Sequence, residues 1–205
     1  MALTAVNTDE HVQEEILRAA LRLYQKSGPN NVTMDDVAKA TGRSRTSLYY
    51  YYKNRDEILH AVIDTLTKGV AAEIRAAVTD AETISDKIYA FCITKLKTSQ
   101  DWKPLFSAMW ASVDAEDKMK HNKLMDILHK KLVYQEAIIL NEILATTPAN
   151  EEFRQLGANE QDNLVFLISS GIRGLRREIY DQNDPHDIKA AVRLLTDMIV
   201  RWLKN

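Results

Sequence analysis

Thr33 to Leu59 reads TMDDVAKATGRSRTSLYYYYKNRDEIL, a run whose caps and glycine mark a helix, a tight turn, a second helix and the start of a third. The Thr33 hydroxyl can accept a hydrogen bond from the unpaired backbone amides one turn on, and Asp36 stands three residues later, where a capping box places its acid. Val37 and Ala38 then face inward. Gly42 sits where the chain must reverse sharply, a place for a residue without Cβ. Ser44 caps the next helix, about Ser44 to Tyr51, with Ser47 three positions on, and Leu48 holds that helix to a core. Asn54 and Glu57 repeat the capping box at the head of a third helix. The pattern is a helix-turn-helix.

The second helix carries Arg45, Thr46 and Ser47 in its first turn, the part of such a helix that meets base edges in a DNA major groove. Arg45 suits a guanine edge, and Thr46 a thymine methyl or a phosphate. Thr33 and Ser44 join them as candidate DNA contacts. Between Arg43 and Arg55 lie four basic residues (Arg43, Arg45, Lys53, Arg55), no acidic one, and the four consecutive tyrosines Tyr49 to Tyr52. Helical geometry forbids a common direction for adjacent rings, so the four divide their labour. The first amides of the third helix, with Lys53 and Arg55, suit a phosphate. Arg43 reads as a surface residue lying over the core with its head in water or on phosphate.

From Gly42 the run GRSRTSLYYYYKNRDEIL resembles the signature of the TetR family of transcriptional regulators, in which Leu-Tyr, a further aromatic and a Ser/Asn-Lys step recur in this order; the upstream VTMDDVAKATG fits the same pattern. With the helix before it, the resemblance covers about Asp9 to Leu59, roughly a quarter of the chain. It implies that Tyr49 and Lys53 or Arg55 meet phosphates, that Tyr51 lies near the groove and that Tyr52 takes a buried aromatic place. Tyr50 is either groove-facing or a surface aromatic. Three places depart from the family pattern: Arg43 replaces a small apolar residue, Thr46-Ser47 stands where Gly-Thr is frequent, and Arg55 replaces the usual Lys. Base preference is therefore not carried over.

The formal net charge is −2, and Met1 to His60 holds eight Lys/Arg against eight Asp/Glu. The basic signal is thus local to Arg43–Arg55, and phosphate attraction acts over about 8 Å at physiological salt. The single cysteine, Cys92, excludes an internal disulfide framework and fits a reducing compartment; flanked by Phe91 and Ile93 it reads as a small core residue. Six Gly and four Pro in 205 residues suit a mostly helical protein. The N-terminus lacks a basic region followed by an apolar run, and the longest uncharged apolar run, Asn163 to Ile172, is about half a membrane span. A cytoplasmic protein with no membrane association is expected.

Asp9 to Lys26 places Val12, Ile16, Ala19, Ala20 and Leu23 on one helical face. From Arg55 to about Thr79 the positions Leu59, Val62, Ile63, Leu66, Val70 and Ala77 keep a stripe, so one helix of roughly 36 Å leads from head to body as a lever. Another helix runs from Ser85 to about Lys97, followed by the aromatic stretch Trp102 to Val113. Asp117 to Thr146 is amphipathic, with His121 and Gln135 inside its apolar arc. These polar residues, with Trp102, Phe106, Met109 and Trp110, are candidate lining of an apolar ligand pocket. His121 and His129, with Asp117 and Met125, have the spacing of a metal site, but no second carboxylate or cysteine completes it.

Glu160 to Asp181 is apolar on two faces, one holding Leu164, Ile168, Ile172, Leu175 and Ile179, the other Phe166, Leu167, Ser170 and Gly174. The last helix, Asp187 to Lys204, has an apolar arc about half the wheel wide, more than one core contact needs. Phe166, Ser170, Gly174, Leu194, Met198 and Trp202 are candidate dimer-interface residues, and the family resemblance implies a four-helix bundle between twofold mates. No phosphate loop, nucleophile elbow or HExxH pair is present, and neither an enzyme nor a cofactor is expected.

The expectation is an all-α protein with a helix-turn-helix head at 1–53 and a helical ligand-binding and dimerisation body at 54–205. It would be a homodimeric regulator that releases a palindromic operator on double-stranded DNA when a small hydrophobic effector binds. The alternative is a DNA-binding module whose body docks a protein partner.

Overall fold

The computed structural model describes residues 2–110, 118–146, 153–181 and 185–204, and among them every regular element is helical. In order these are α1 (Ala2–Ser27), a 3-10 turn (Pro29–Asn31), α2 (Met34–Ala40), α3 (Arg45–Tyr51), α4 (Arg55–Thr79), α5 (Ile84–Trp110), α6 (Lys118–Ala145), α7 (Ala158–Arg176) and α8 (Ile188–Leu203). A π-helical stretch, Arg177–Asp181, continues α7. The protein is all-α. The chain divides into two compact units, Met1–Leu66 with Lys103–Leu128, and Thr67–Trp102 with His129–Asn205.

In the first unit α1 packs on α2, and α2 on α3. Val12, Ile16, Ala19 and Ala20 are buried as their spacing predicts, but Tyr24, 2% exposed, takes the last inward place instead of Leu23. Tyr24 continues the i, i+4 row of Ile16 and Ala20, which a helix lays along one line. Gly28 ends α1 at φ 75°, open to a residue without Cβ.

The capping box of α2 is complete. The Asp36 amide donates to the Thr33 hydroxyl at 3.2 Å, and the Thr33 amide donates to the Asp36 carboxylate at 2.9 Å. The Thr33 hydroxyl also donates to the Asp36 carboxylate, at 2.6 Å, and that bond, with the one from the Thr33 amide, holds the Asp36 carboxyl below its ordinary value. A carboxylate lowered in the folded state stabilises fully above its unfolded value, about pH 4, and loses that effect as pH falls through the lowered one. Thr33→Ala is expected to destabilise the head by about 1 kcal/mol at neutral pH, checked by urea unfolding at pH 7 and pH 3. The gap between variant and wild type narrows at the lower pH.

The second unit has one continuous core drawn from five helices: Val70, Ala71 and Ile74 of α4, Ile88 and Phe91 of α5, Ile139 and Leu140 of α6, Ile168 and Ile172 of α7, and Val192 and Ile199 of α8. Cys92 belongs to it, fully buried, and burial pushes its thiol up to about 12, so it is a core residue and not a reactive thiolate. The helix expected to stop near Lys97 runs on to Trp110. Thr98, 1% exposed, explains part of this: its hydroxyl donates to the Lys95 carbonyl at 3.1 Å, so a polar residue that reads as a helix end is absorbed inside the helix.

Candidate nucleic-acid interface

The turn between α2 and α3 is built by a glycine-closed cap. Gly42 adopts φ 64°, its amide donates to the Lys39 carbonyl at 3.2 Å, and the next amide, of Arg43, reaches back to Ala38 at 3.0 Å. This is the Schellman arrangement, which satisfies the last carbonyls of α2 and needs a left-handed residue at its centre. Ser44 then caps α3, its hydroxyl accepting from the Ser47 amide at 3.1 Å. Leu48 is 0% exposed and anchors α3 from beneath. The first turn of α3 consequently faces outward: Arg45 and Thr46 are exposed and Ser47 is half-buried.

Arg45 is held by two neighbours. One Nη donates to the Tyr49 hydroxyl at 3.2 Å and the other lies 3.4 Å from the Asp35 carboxylate, while the guanidinium sits 5.5 Å from the Tyr49 ring centre. The Tyr49 hydroxyl and then Asp35 raise its already high pKa. The tyrosines do divide. Tyr49 is 41% and Tyr50 76% exposed, whereas Tyr52 is 9% exposed. Tyr51 turns its hydroxyl back to α1, donating to Asp9 at 2.9 Å, and that bond raises its pKa. Its ring meets Tyr50 edge-on at 5.0 Å.

Acidic and carbonyl groups from the elements before α3 orient the remaining cations. Arg43 bonds Glu15 of α1 at 2.8 Å, and this bond leads the forces that lower the Glu15 carboxyl. Arg55 donates to the Asn30 carbonyl at 2.9 Å. Lys53 is exposed, and its backbone amide donates to Glu57 at 2.7 Å, while the Glu57 amide donates to Asn54 at 2.9 Å. The box at the head of α4 therefore closes one residue earlier than the Asn54–Glu57 spacing suggests. Thr33 is exposed, with its hydroxyl committed to its own cap.

The residues that build this surface are also those that carry a match to known proteins. A family model described as bacterial regulatory proteins, tetR family, matches residues 16–62. Over that stretch the chain matches the TetR family. An uncharacterized HTH-type transcriptional regulator of Mycobacterium tuberculosis is 29% identical over 92 residues, 45% of this chain and 46% of that one. The chain thus spans about half the length of that curated relative. The HTH-type transcriptional regulator BetI of Brucella canis is 22% identical over 195 residues, 94% of this chain and 92% of BetI. Among solved structures, the TetR family repressor AlkX from a Dietzia species, implicated in biodegradation of n-alkanes, superposes with a TM-score of 0.56 at 21% identity, covering 95% of its chain and 94% of this one. That likeness is one of fold. The relatives named here are regulators and not enzymes.

The expected interface residues lie on neighbouring helix faces of α7 and α8. α7 and α8 touch closely where Gly171 stands: a Cβ there would sit 3.7 Å from Leu195. Flanking that contact, Phe166 and Leu167 on α7 are 64% and 63% exposed, and Leu194 and Met198 on α8 are 63% and 61% exposed. Trp202 is 39% exposed, with the Arg154 guanidinium 4.4 Å from its ring centre. Ser170 is half-buried, and Gly174 is exposed with nothing within 4 Å of an added Cβ.

The side chains of Trp102, Phe106, Met109, Trp110 and His121 lie outside the described residues. Gln135 is half-buried. Two clefts among the described residues, each about 320 Å³, are lined by other positions, one around Arg75 and Glu142, the other around Phe153 and Gln161. The chemically unusual pair is one the sequence reading passed over. Lys95 of α5 and Glu136 of α6 are ion-paired with side chains 7% and 9% exposed. The signal was available: Lys95 falls on the Ile88–Phe91–Cys92 stripe and Glu136 on the Leu132–Ile139–Ile143 stripe, and opposite charges at core positions of two helices call for each other.

Proposed function

We propose that this protein is a homodimeric, DNA-binding transcriptional regulator of the TetR type whose two α3 helices enter successive major grooves of a palindromic operator. Residues 1–53 form the reading head, and 54–205 the body that dimerises and receives a small apolar effector. The observation that carries the reading is the outward first turn of α3, Arg45 and Thr46, on a helix locked from below by Leu48. Arg45 reads a guanine edge; Tyr49, Lys53 and Arg55 meet phosphates, which supply salt-dependent affinity while the helix turn supplies specificity. The exposed apolar residues of α7 and α8 support dimerisation, since a soluble chain seldom leaves such a face uncovered. An effector that binds the DNA-incompetent arrangement better shifts the heads through α4, a coupling of about 1 to 3 kcal/mol in typical systems. Release of a repressed operator is the sense the family favours.

Selection of genomic fragments by the purified protein at moderate salt tests this directly. Recovery of one palindromic motif supports it, and no enrichment across salt conditions with the dimer confirmed by sedimentation counts against it. For the contact residues, Tyr49→Phe is expected to weaken binding roughly 3- to 10-fold at every sequence, the worth of one neutral hydrogen bond. The salt slope stays constant, because no charge is lost. Titration of operator and random DNA checks this, and unchanged affinity for both removes Tyr49 from the interface.

A further inference from the structure

Three helices of the second unit bring charged groups into its apolar core. Lys95 and Glu136 pair across α5 and α6, both nearly inaccessible. On α7, Arg173 directs one Nη to the Ser170 hydroxyl at 2.8 Å, while its other Nη is buried and makes no hydrogen bond among the described residues. The Ser169 hydroxyl, one turn earlier, is likewise buried without a partner. Arg173 is near Lys95: burial depresses the ammonium, Glu136 opposes this, and Arg173 adds to the depression. Two cations and one carboxylate leave this cluster with one positive charge. The adjoining turns are apolar, with Phe91 and Cys92, Ile139 and Leu140, and Ile168 and Ile172 all at most 1% exposed.

We propose that the body binds an apolar monocarboxylate whose carboxylate is taken by Arg173 and the Ser169 hydroxyl, with the Lys95–Glu136 pair setting the charge of the site. The inference rests on the reading of the body as a small-molecule receiver and names the class it receives. One buried Nη of the half-buried Arg173 and the buried Ser169 hydroxyl have no partner among the described residues; the first can only donate and the second can donate, so one acceptor completes both. The planar fork of Arg matches a carboxylate. One negative charge neutralises the cluster, whereas a phosphate dianion would leave a surplus charge in a core that tolerates none. Flanking Phe, Ile and Leu side chains favour an apolar remainder of the ligand. Glu136 holds Lys95, so Arg173 is the cation available for the ligand.

The test is titration calorimetry on the full-length protein with octanoate, decanoate and 4-phenylbutyrate, each against its alcohol and its amide, and with uptake of the neutral dye Nile red measured in parallel. The expected result is at least one carboxylate bound on the order of 10- to 100-fold more tightly than its neutral counterparts, the worth of a charged hydrogen bond. Arg173→Gln removes that preference, and a circular-dichroism melt verifies its fold. Arg173→Lys keeps a charge without the fork and loses part of the preference, so the question is still answered should Arg173→Gln not fold. Equal binding of acids and neutral compounds, or a preference that survives in both variants, overturns the carboxylate while leaving the small-molecule reading in place. No binding of any compound together with no Nile red uptake overturns both, and dye uptake with no carboxylate bound overturns the carboxylate alone.

Discussion

A Lys95→Met protein is expected to lose about 3 to 5 kcal/mol of unfolding free energy, because the substitution leaves the Glu136 carboxylate buried and unpaired. A domain of this kind has about 5 to 15 kcal/mol in all, so a third or more of its stability is at stake. The pair itself is not the source of that stability. Replacing both partners, Lys95→Met with Glu136→Leu, is expected to return the protein to wild-type stability or above it, since the desolvation of both charges is removed together. Urea unfolding of the two single variants and the double variant, combined as a mutant cycle, reads this out. A single variant within 1 kcal/mol of wild type would mean that water reaches the pair. The consequence bears on function: a charged pair that contributes little net stability yet occupies core positions on two helices is more simply explained by what it does to the charge around Arg173.

The second large effect belongs to the exposed face of α7. Gly174→Trp is expected to convert the proposed dimer to monomers at micromolar concentration, read as a halving of the mass by sedimentation, and to abolish tight binding to a palindrome while single half-site binding persists weakly. The protomer has no reason to suffer, because a Cβ at 174 meets nothing within 4 Å and a glycine inside a helix is itself unfavourable. The proposed origin of the loss is the face a second copy would cover, beside Phe166 and Ser170 on the same helix and Leu194 and Met198 on α8, and a circular-dichroism melt of the variant checks that the protomer is intact. A dimer that persists places the interface on another face.

Much of the head was legible because its determinants are local. A threonine three residues before an aspartate, a glycine that must turn left-handed, a serine before Arg45 and a leucine one turn on each act within a few residues, and each stands where the spacing placed it. The division among the tyrosines was legible only in part. Tyr52 is buried as read, but the hydroxyl of Tyr51 is turned to Asp9, 42 residues away in sequence, and no local pattern announces so distant a partner. Arg43 shows the same limit: its guanidinium is fastened to Glu15 of α1.

In the body the balance reverses. Helical periodicity located α6, α7 and α8, and the two-faced pattern of α7 anticipated both a buried row at Leu164, Ile168 and Ile172 and an exposed one at Phe166 and Leu167. It did not carry α5 beyond Lys97, because a polar Thr98 looks like a boundary until tertiary packing buries it. Nor did it join Lys95 to Glu136 or set Arg173 beside them.

By itself, then, the sequence determined the helical class, the helix-turn-helix, the family resemblance of the head and the turn of α3 that faces outward, since backbone caps, a left-handed glycine and apolar spacing are short-range properties written within a turn or two of chain. Only the tertiary structure decided which charges are buried together, since that depends on which helices share a core. Three side chains from α5, α6 and α7, unremarkable one at a time, form a positively charged cluster only when the fold removes water from between them and so makes each charge answer to the others.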